Sequence, residues 1–134
     1  MASNPQFINT PRISYGEITT GQTARTTGTS TSLVEVIQGA TGGTRIVETV
    51  VKSLGQPADS LVQLWLDNGS TKILFDEYDI GAPAAGSTTV VSYRLSTTYS
   101  NLILPSTSWK LFAACTVTPT SGGIVVWALG GDFV

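Results

Sequence analysis

The chain has no histidine and a single cysteine, Cys115. The first absence removes imidazole general bases, Ser–His and Cys–His nucleophile systems and His-ligated zinc. The second excludes an internal disulfide, and with it a disulfide-stapled secreted scaffold. Charge is scarce too: Lys, Arg, Asp and Glu make up 12% of the residues, against about a quarter in ordinary soluble domains. The seven basic residues are dispersed and the net charge is −2, so no basic footprint for a direct nucleic-acid partner is present. The longest apolar run, Ile124 to Leu129, is far short of the roughly 20 residues of a membrane helix. Met-Ala-Ser-Asn-Pro at the N-terminus lacks the basic and apolar regions of a signal peptide. Synthesis in a reducing cytoplasm is the expectation, with no membrane partner.

What fills the chain instead is hydroxyl: 20 Thr and 14 Ser in 134 residues. That length fits one domain, able to bury a core without disulfides or metals. Residues 1–32 differ in composition from the rest. Pro5, Pro11, several glycines and many threonines surround only a few apolar side chains: Phe7, Ile8, Ile13, Tyr15 and Ile18. Such a segment cannot form its own core, so an extended N-terminal arm that docks on something is expected over 1–32. Ile13, Tyr15 and their neighbours are able to add one edge strand. At about 3.3 Å per residue the arm reaches up to about 100 Å.

From Leu33 the pattern is β throughout, and 33–134 is expected to be the folded domain. Strands are predicted over Leu33–Ile37, Thr44–Lys52, Leu61–Asp67, Lys72–Tyr78, Thr88–Leu95, Leu102–Leu104, Lys110–Val117 and Ile124–Leu129. Asn68-Gly69 is a strong hairpin signal, and Gly130-Gly131 is read as closing the last strand. Between Pro57 and Trp65 the apolar residues at 58, 61, 62 and 65 also fit helical spacing; a strand from Leu61 with a short helical turn at Pro57–Ser60 satisfies both. About eight antiparallel strands in 100 residues must close into a sandwich or barrel to bury their apolar faces. An all-β antiparallel β-sandwich of jelly-roll type is the expected fold.

Candidate chemistry is thin. Asp76, Glu77 and Asp79 form the densest acidic cluster, but neighbours on a strand face opposite ways and no calcium-loop pattern is present. Asp67 to Thr71 is explained by its turn. Glu35, Glu48, Asp59 and Asp132 are scattered, and no spacing selects a glycosidase pair. Cys115, between Ala113 and Val117 on an alternating row, reads as a buried thiol rather than a nucleophile. The tryptophans (65, 109, 127) and tyrosines (15, 78, 93, 99) fit a core or a subunit interface better than a sugar platform. No enzyme activity, cofactor or metal is expected.

The order Ile18-Thr-Thr-Gly-Gln-Thr-Ala-Arg25, Gly28-Thr29, Gly39-Ala-Thr-Gly-Gly-Thr-Arg-Ile46, Leu64-Trp-Leu-Asp-Asn-Gly69, Leu102-Ile-Leu-Pro105 and Gly130-Gly-Asp-Phe133 resembles small virion structural proteins of tailed bacteriophages. The resemblance runs from about residue 11 to the C-terminus. It implies a jelly-roll-like sandwich that assembles as a homo-oligomer on the virion, often as a head decoration or cement protein bound to the major capsid protein. It brings no catalytic residues, and Asp67-Asn68-Gly69 stands where such proteins often have a basic or His-Asp-Gly hairpin. Phe7, Ile8, Arg12, Ile13 and Tyr15 of the arm, with Trp109 beyond the Pro105 loop, are the candidate partner-binding residues. The alternative is a tail or head-fibre component that binds host surface glycan through an exposed ring, Trp109 first among them.

Overall fold

Alternating β-branched and aromatic residues become eight strands in the computed structural model, which describes residues 8–25 and 32–133. They are Thr10–Ile18 (β1), Val34–Gln38 (β2), Thr44–Ser53 (β3), Ser60–Asp67 (β4), Lys72–Gly81 (β5), Arg94–Leu104 (β6), Lys110–Cys115 (β7) and Ile124–Asp132 (β8). All pairings are antiparallel, in two sheets of order β1-β8-β3-β6 and β2-β7-β4-β5. Successive strands cross between the sheets at almost every step, which is the jelly-roll arrangement. β1 packs beside β2 along one flank; β5 and β6 are the edges of the other.

Period-two alternation sends Val62 and Leu64 of β4, Leu111, Ala113 and Cys115 of β7, and Ile124, Val126 and Ala128 of β8 into the space between the sheets. Each fully buried Leu, Ile or Val there contributes about 1.5–3 kcal/mol. The predicted inward row of β7 stops at Cys115, and Val117 lies exposed beyond the strand end. The β4–β5 hairpin is built as its sequence predicts. Asp67 Oδ1 accepts from Gly69 N, Asn68 Oδ1 accepts from the amides of Ser70 and Thr71, and Gly69 takes φ +99°.

Within the expected arm, Thr10–Ile18 forms the edge strand that Ile13 and Tyr15 suggested, paired with β8, and Ile18 is buried in the core. Nine residues of register with β8, and the apolar contacts of Ile18, outweigh the cost of ordering a Thr-rich segment. Three expectations need correction. Thr88–Leu95 is not a strand: Ser87 Oγ accepts from the amides of Thr89 and Val90, and Ser87 N donates to Val90 O. That side-chain-capped turn competes with the ladder, and pairing resumes at Arg94 as one strand through Leu104. The last strand does not end at Gly130-Gly131 but runs to Asp132. A Cβ on Gly130 would fall 1.9 Å from the carbonyl oxygen of Arg45, where β3 bulges between Ile46 and Glu48. No helical turn forms at Pro57–Ser60; Gln56 bridges to Ser121 instead.

Candidate functional site

Register sets the outer face of the β1-β8-β3-β6 sheet row by row. Ile13 stands across from Leu129, and Leu129 from Glu48. Tyr15 stands across from Trp127, and Trp127 from Val50. Glu17 stands across from Val125, Val125 from Lys52, and Lys52 from Arg94. Ile124, Val126 and Ala128 belong to the core, so Val125, Trp127 and Leu129 look outward. The β1–β8 half of this face is therefore an apolar stripe, with Ile13 63% and Tyr15 58% exposed. The rings of Tyr15 and Trp127 lie 4.7 Å apart at 39°, a tilted pair that stiffens the centre of the stripe.

The charged residues divide by place. Ion pairs join Arg12 to Asp132, Arg25 to Glu77, Lys72 to Asp67 and Lys110 to Glu35. The remaining cations, Arg45, Lys52 and Arg94, form no ion pair among the described residues, and all three lie on the outer face just described. Glu17 and Glu48 are likewise unpaired there.

The opposite face is covered by the chain's own strap, residues 21–25. Gln22 N donates to Cys115 O at 2.8 Å, and Gly21 N to Thr118 Oγ1 at 2.9 Å. Gln22 Nε2 then donates to Gln63 Oε1 at 2.7 Å, and Arg25 reaches Glu77 with both guanidinium nitrogens. Gln63 also accepts from Trp65 Nε1 at 3.3 Å and donates to Glu77 Oε1 at 3.1 Å. Gln63 and Trp65 point away from the core yet are both 0% exposed. The Arg25 hydrogen bonds, with one from Gln63, hold the Glu77 carboxyl below the usual carboxylate range against the opposing effect of burial.

At the β5–β6 flank Tyr99 OH donates to Asp76 Oδ2 at 3.1 Å and hydrogen-bonds Tyr78 OH. Burial, then the Tyr78 contact, pushes the Tyr99 phenol well above its ordinary range. Burial likewise pushes up the Cys115 thiol, whose Sγ donates to Val117 O. Among the described residues no three Asp, Glu or Cys side chains gather as metal ligands.

The candidate partner-binding residues separate. Ile13 and Tyr15 fall together on the stripe. Arg12 turns the other way and is held by Asp132 Oδ1 at 2.9 Å and Gln38 O at 2.7 Å. Ile8 lies with its Cγ2 over Gly131, and Phe7 is outside the described residues. Trp109 packs partly buried against the core, its amide donating to Ser106 O and its carbonyl accepting from Gly39 N. Leu129, Glu17, Lys52 and Arg94 were not singled out from the sequence, and Trp127 stood only among the aromatics assigned to a core or a subunit interface. A signal existed in Ile124 to Leu129: an unbroken apolar run fits a strand covered on both faces, and among the described residues the outward Val125 is buried while Trp127 and Leu129 stay half-buried.

No family model matches the chain, and no curated protein does. Among solved structures it is similar to a chain of the cyanophage Pam1 capsid asymmetric unit. The alignment covers 100% of this chain and 91% of that one, at 16% identity and a TM-score of 0.42. The jelly-roll assignment rests on the strand order itself.

Proposed function

We propose that this chain is a structural protein of a tailed-bacteriophage virion, a decoration or cement protein that stabilises the head by bridging neighbouring copies of the major capsid protein. The observation that carries the reading is the apolar stripe of Ile13, Tyr15, Trp127 and Leu129, exposed at Ile13 and Tyr15 and half-buried at Trp127 and Leu129, on an otherwise low-charge, Thr- and Ser-rich surface. Such a surface suits side-by-side packing of many copies and leaves an isolated copy with apolar area unmet. The resemblance of the ordered motifs to those of small phage virion proteins supports the same reading. The mechanism is mass action: a protein that binds only the assembled lattice stabilises it, by about 2.7 kcal/mol per site at a hundredfold excess over the dissociation constant.

The test is to heat particles stripped of this protein, with and without the purified chain added back. The expected result is a saturable rise in the temperature at which DNA is released. Unchanged release at saturating protein, or no binding to stripped heads, rejects the function.

A further inference from the structure

We propose that the β5–β6 flank is a socket for an arginine side chain, presented by an extended segment of a partner protein. The inference goes beyond the proposed function, because it assigns a chemistry to a surface that the apolar stripe does not include.

β5 and β6 each have a neighbour on one side only, and they do not pair with each other. Each also carries a bulge. On β5, Asp76 faces Leu64 and Leu74 faces Trp65, so Phe75 is the extra residue. On β6, Tyr99, Ser100 and Asn101 stand against Val47 alone. A bulge bends its strand and re-aims the side chain it carries. Here the two bulges meet: the Phe75 and Tyr99 rings lie 5.7 Å apart at 41°, and Phe75 is 40% exposed. Beside them a recess of about 390 Å³ is lined by Leu74, Phe75, Asp76 and Glu77. Successive side chains of a strand point to opposite faces, so four consecutive residues share one recess only along the strand's free edge.

Hydrogen bonding fixes what the recess can take. Tyr99 gives its one phenol proton to Asp76 Oδ2, so the Tyr78–Tyr99 contact is made with the proton of Tyr78. Both hydroxyl protons are spent inside this chain of bonds, and it ends in a carboxylate that only accepts. Among the described residues no ion pair reaches Asp76, and the cation that does lie over a ring, Lys72, is on Phe112. Aromatic faces, a carboxylate and the carbonyls of a free strand edge are together matched by a cation with several donors. A sugar hydroxyl, which accepts as well as donates, finds no free donor on Tyr78, Tyr99 or Asp76.

Shape selects arginine over lysine. The planar guanidinium stacks on a ring while its five N–H groups reach a carboxylate and backbone carbonyls at once. The next residue on β5 already shows the pairing: Glu77 holds Arg25 of the chain's own strap by both guanidinium nitrogens. The segment that carries the arginine is extended because the unpaired backbone groups of β5 accept an added strand.

The experiment is a titration of the full chain, followed by amide NMR shifts, with an N-acetylated, C-amidated Val-Arg-Val peptide and its Val-Gln-Val analogue. The arginine peptide is expected to shift residues 74–77 and 98–101 saturably, with a dissociation constant on the order of millimolar. The glutamine peptide should bind at least about tenfold more weakly. Asp76→Asn keeps an oxygen for Tyr99 and should weaken the arginine peptide about tenfold. Phe75→Leu, which keeps the apolar wall but removes the ring, should weaken it about threefold. Asp59→Asn, at an exposed carboxylate outside the recess, should change nothing. Equal binding of the two peptides, no saturable shift at the solubility limit, or an equal loss in Asp59→Asn overturns the proposal. Calcium chloride that moves the same amides at lower concentration than the peptide makes the recess a metal site and overturns it too. No virion enters the titration, so its failure leaves the proposed function standing, and a failure to stabilise heads leaves the socket standing.

Discussion

Replacing Gln63 by leucine keeps the side-chain volume nearly constant and deletes the joint that fastens the strap. Gln63 is fully buried, and its two polar ends hold three neighbours: Gln22, Trp65 and Glu77. In the variant the Trp65 indole N–H loses the acceptor it has and stays buried, which costs about 1–3 kcal/mol. Gln22 loses one bond but keeps its contacts to Ala24, worth about a further 1 kcal/mol. Glu77 retains Arg25. The sum is about 2–4 kcal/mol. For a domain of this size that lowers Tm by roughly 6–15 °C, interpolating between the shifts per kcal/mol of smaller and larger domains. Calorimetry gives the Tm, and amide hydrogen exchange localises the loss. Exchange at Gln22 and Ala24 should quicken at least tenfold, with β8 amides changed only as much as global stability requires. A Tm within a degree of the parent, or exchange that quickens evenly over the molecule, would refute the account of the strap.

Other consequences follow from the same contacts. Because the Glu77 carboxyl titrates lower in the folded chain than in the unfolded one, its stabilisation is fully present above the unfolded value near pH 4 and fades as pH falls through the depressed folded value. Parent and Glu77→Gln should therefore converge in Tm below pH 4 and diverge above it. Trp109→Ala removes a ring packed on the core, so it should cost about 3–5 kcal/mol of stability; retained stability with loss of polysaccharide binding would instead revive a fibre role. Deleting residues 1–18 removes β1 and the buried Ile18, and the product should lack a cooperative unfolding transition by calorimetry. Cys115→Ser should cost on the order of 1 kcal/mol, because Val117 O still offers an acceptor to a buried hydroxyl. Rapid labelling of the native thiol would contradict its burial.

Local chemistry made most of the strands legible. The Asn68-Gly69 hairpin, the inward rows of β4 and β7 and the run of β8 all follow from alternation and turn residues. The misreadings arise where distant contacts decide the outcome. Ser87 ties up the amides ahead of Arg94, so a stretch of good strand formers, Val90 and Val91 among them, becomes an exposed turn. Gly130 looks like a stop until the bulge of β3 shows why no Cβ fits there. β1 resembles a linker in composition, and only its partner β8 makes it a strand. The candidate face was half visible. Ile13 and Tyr15 stood out as apolar residues in a polar segment, whereas Trp127 and Leu129 were hidden in a run that reads as core. The charges of the Val125 row come together only once register places Glu17, Lys52 and Arg94 across the sheet from one another.

The most direct measurement of the central claim is the amount of this chain in purified virions, counted against the major capsid protein by quantitative mass spectrometry. A protein that works by contact over the whole head is predicted at a fixed stoichiometry with the capsid subunit, on the order of hundreds of copies set by the symmetry of the shell. A handful of copies per particle, or none, would contradict it.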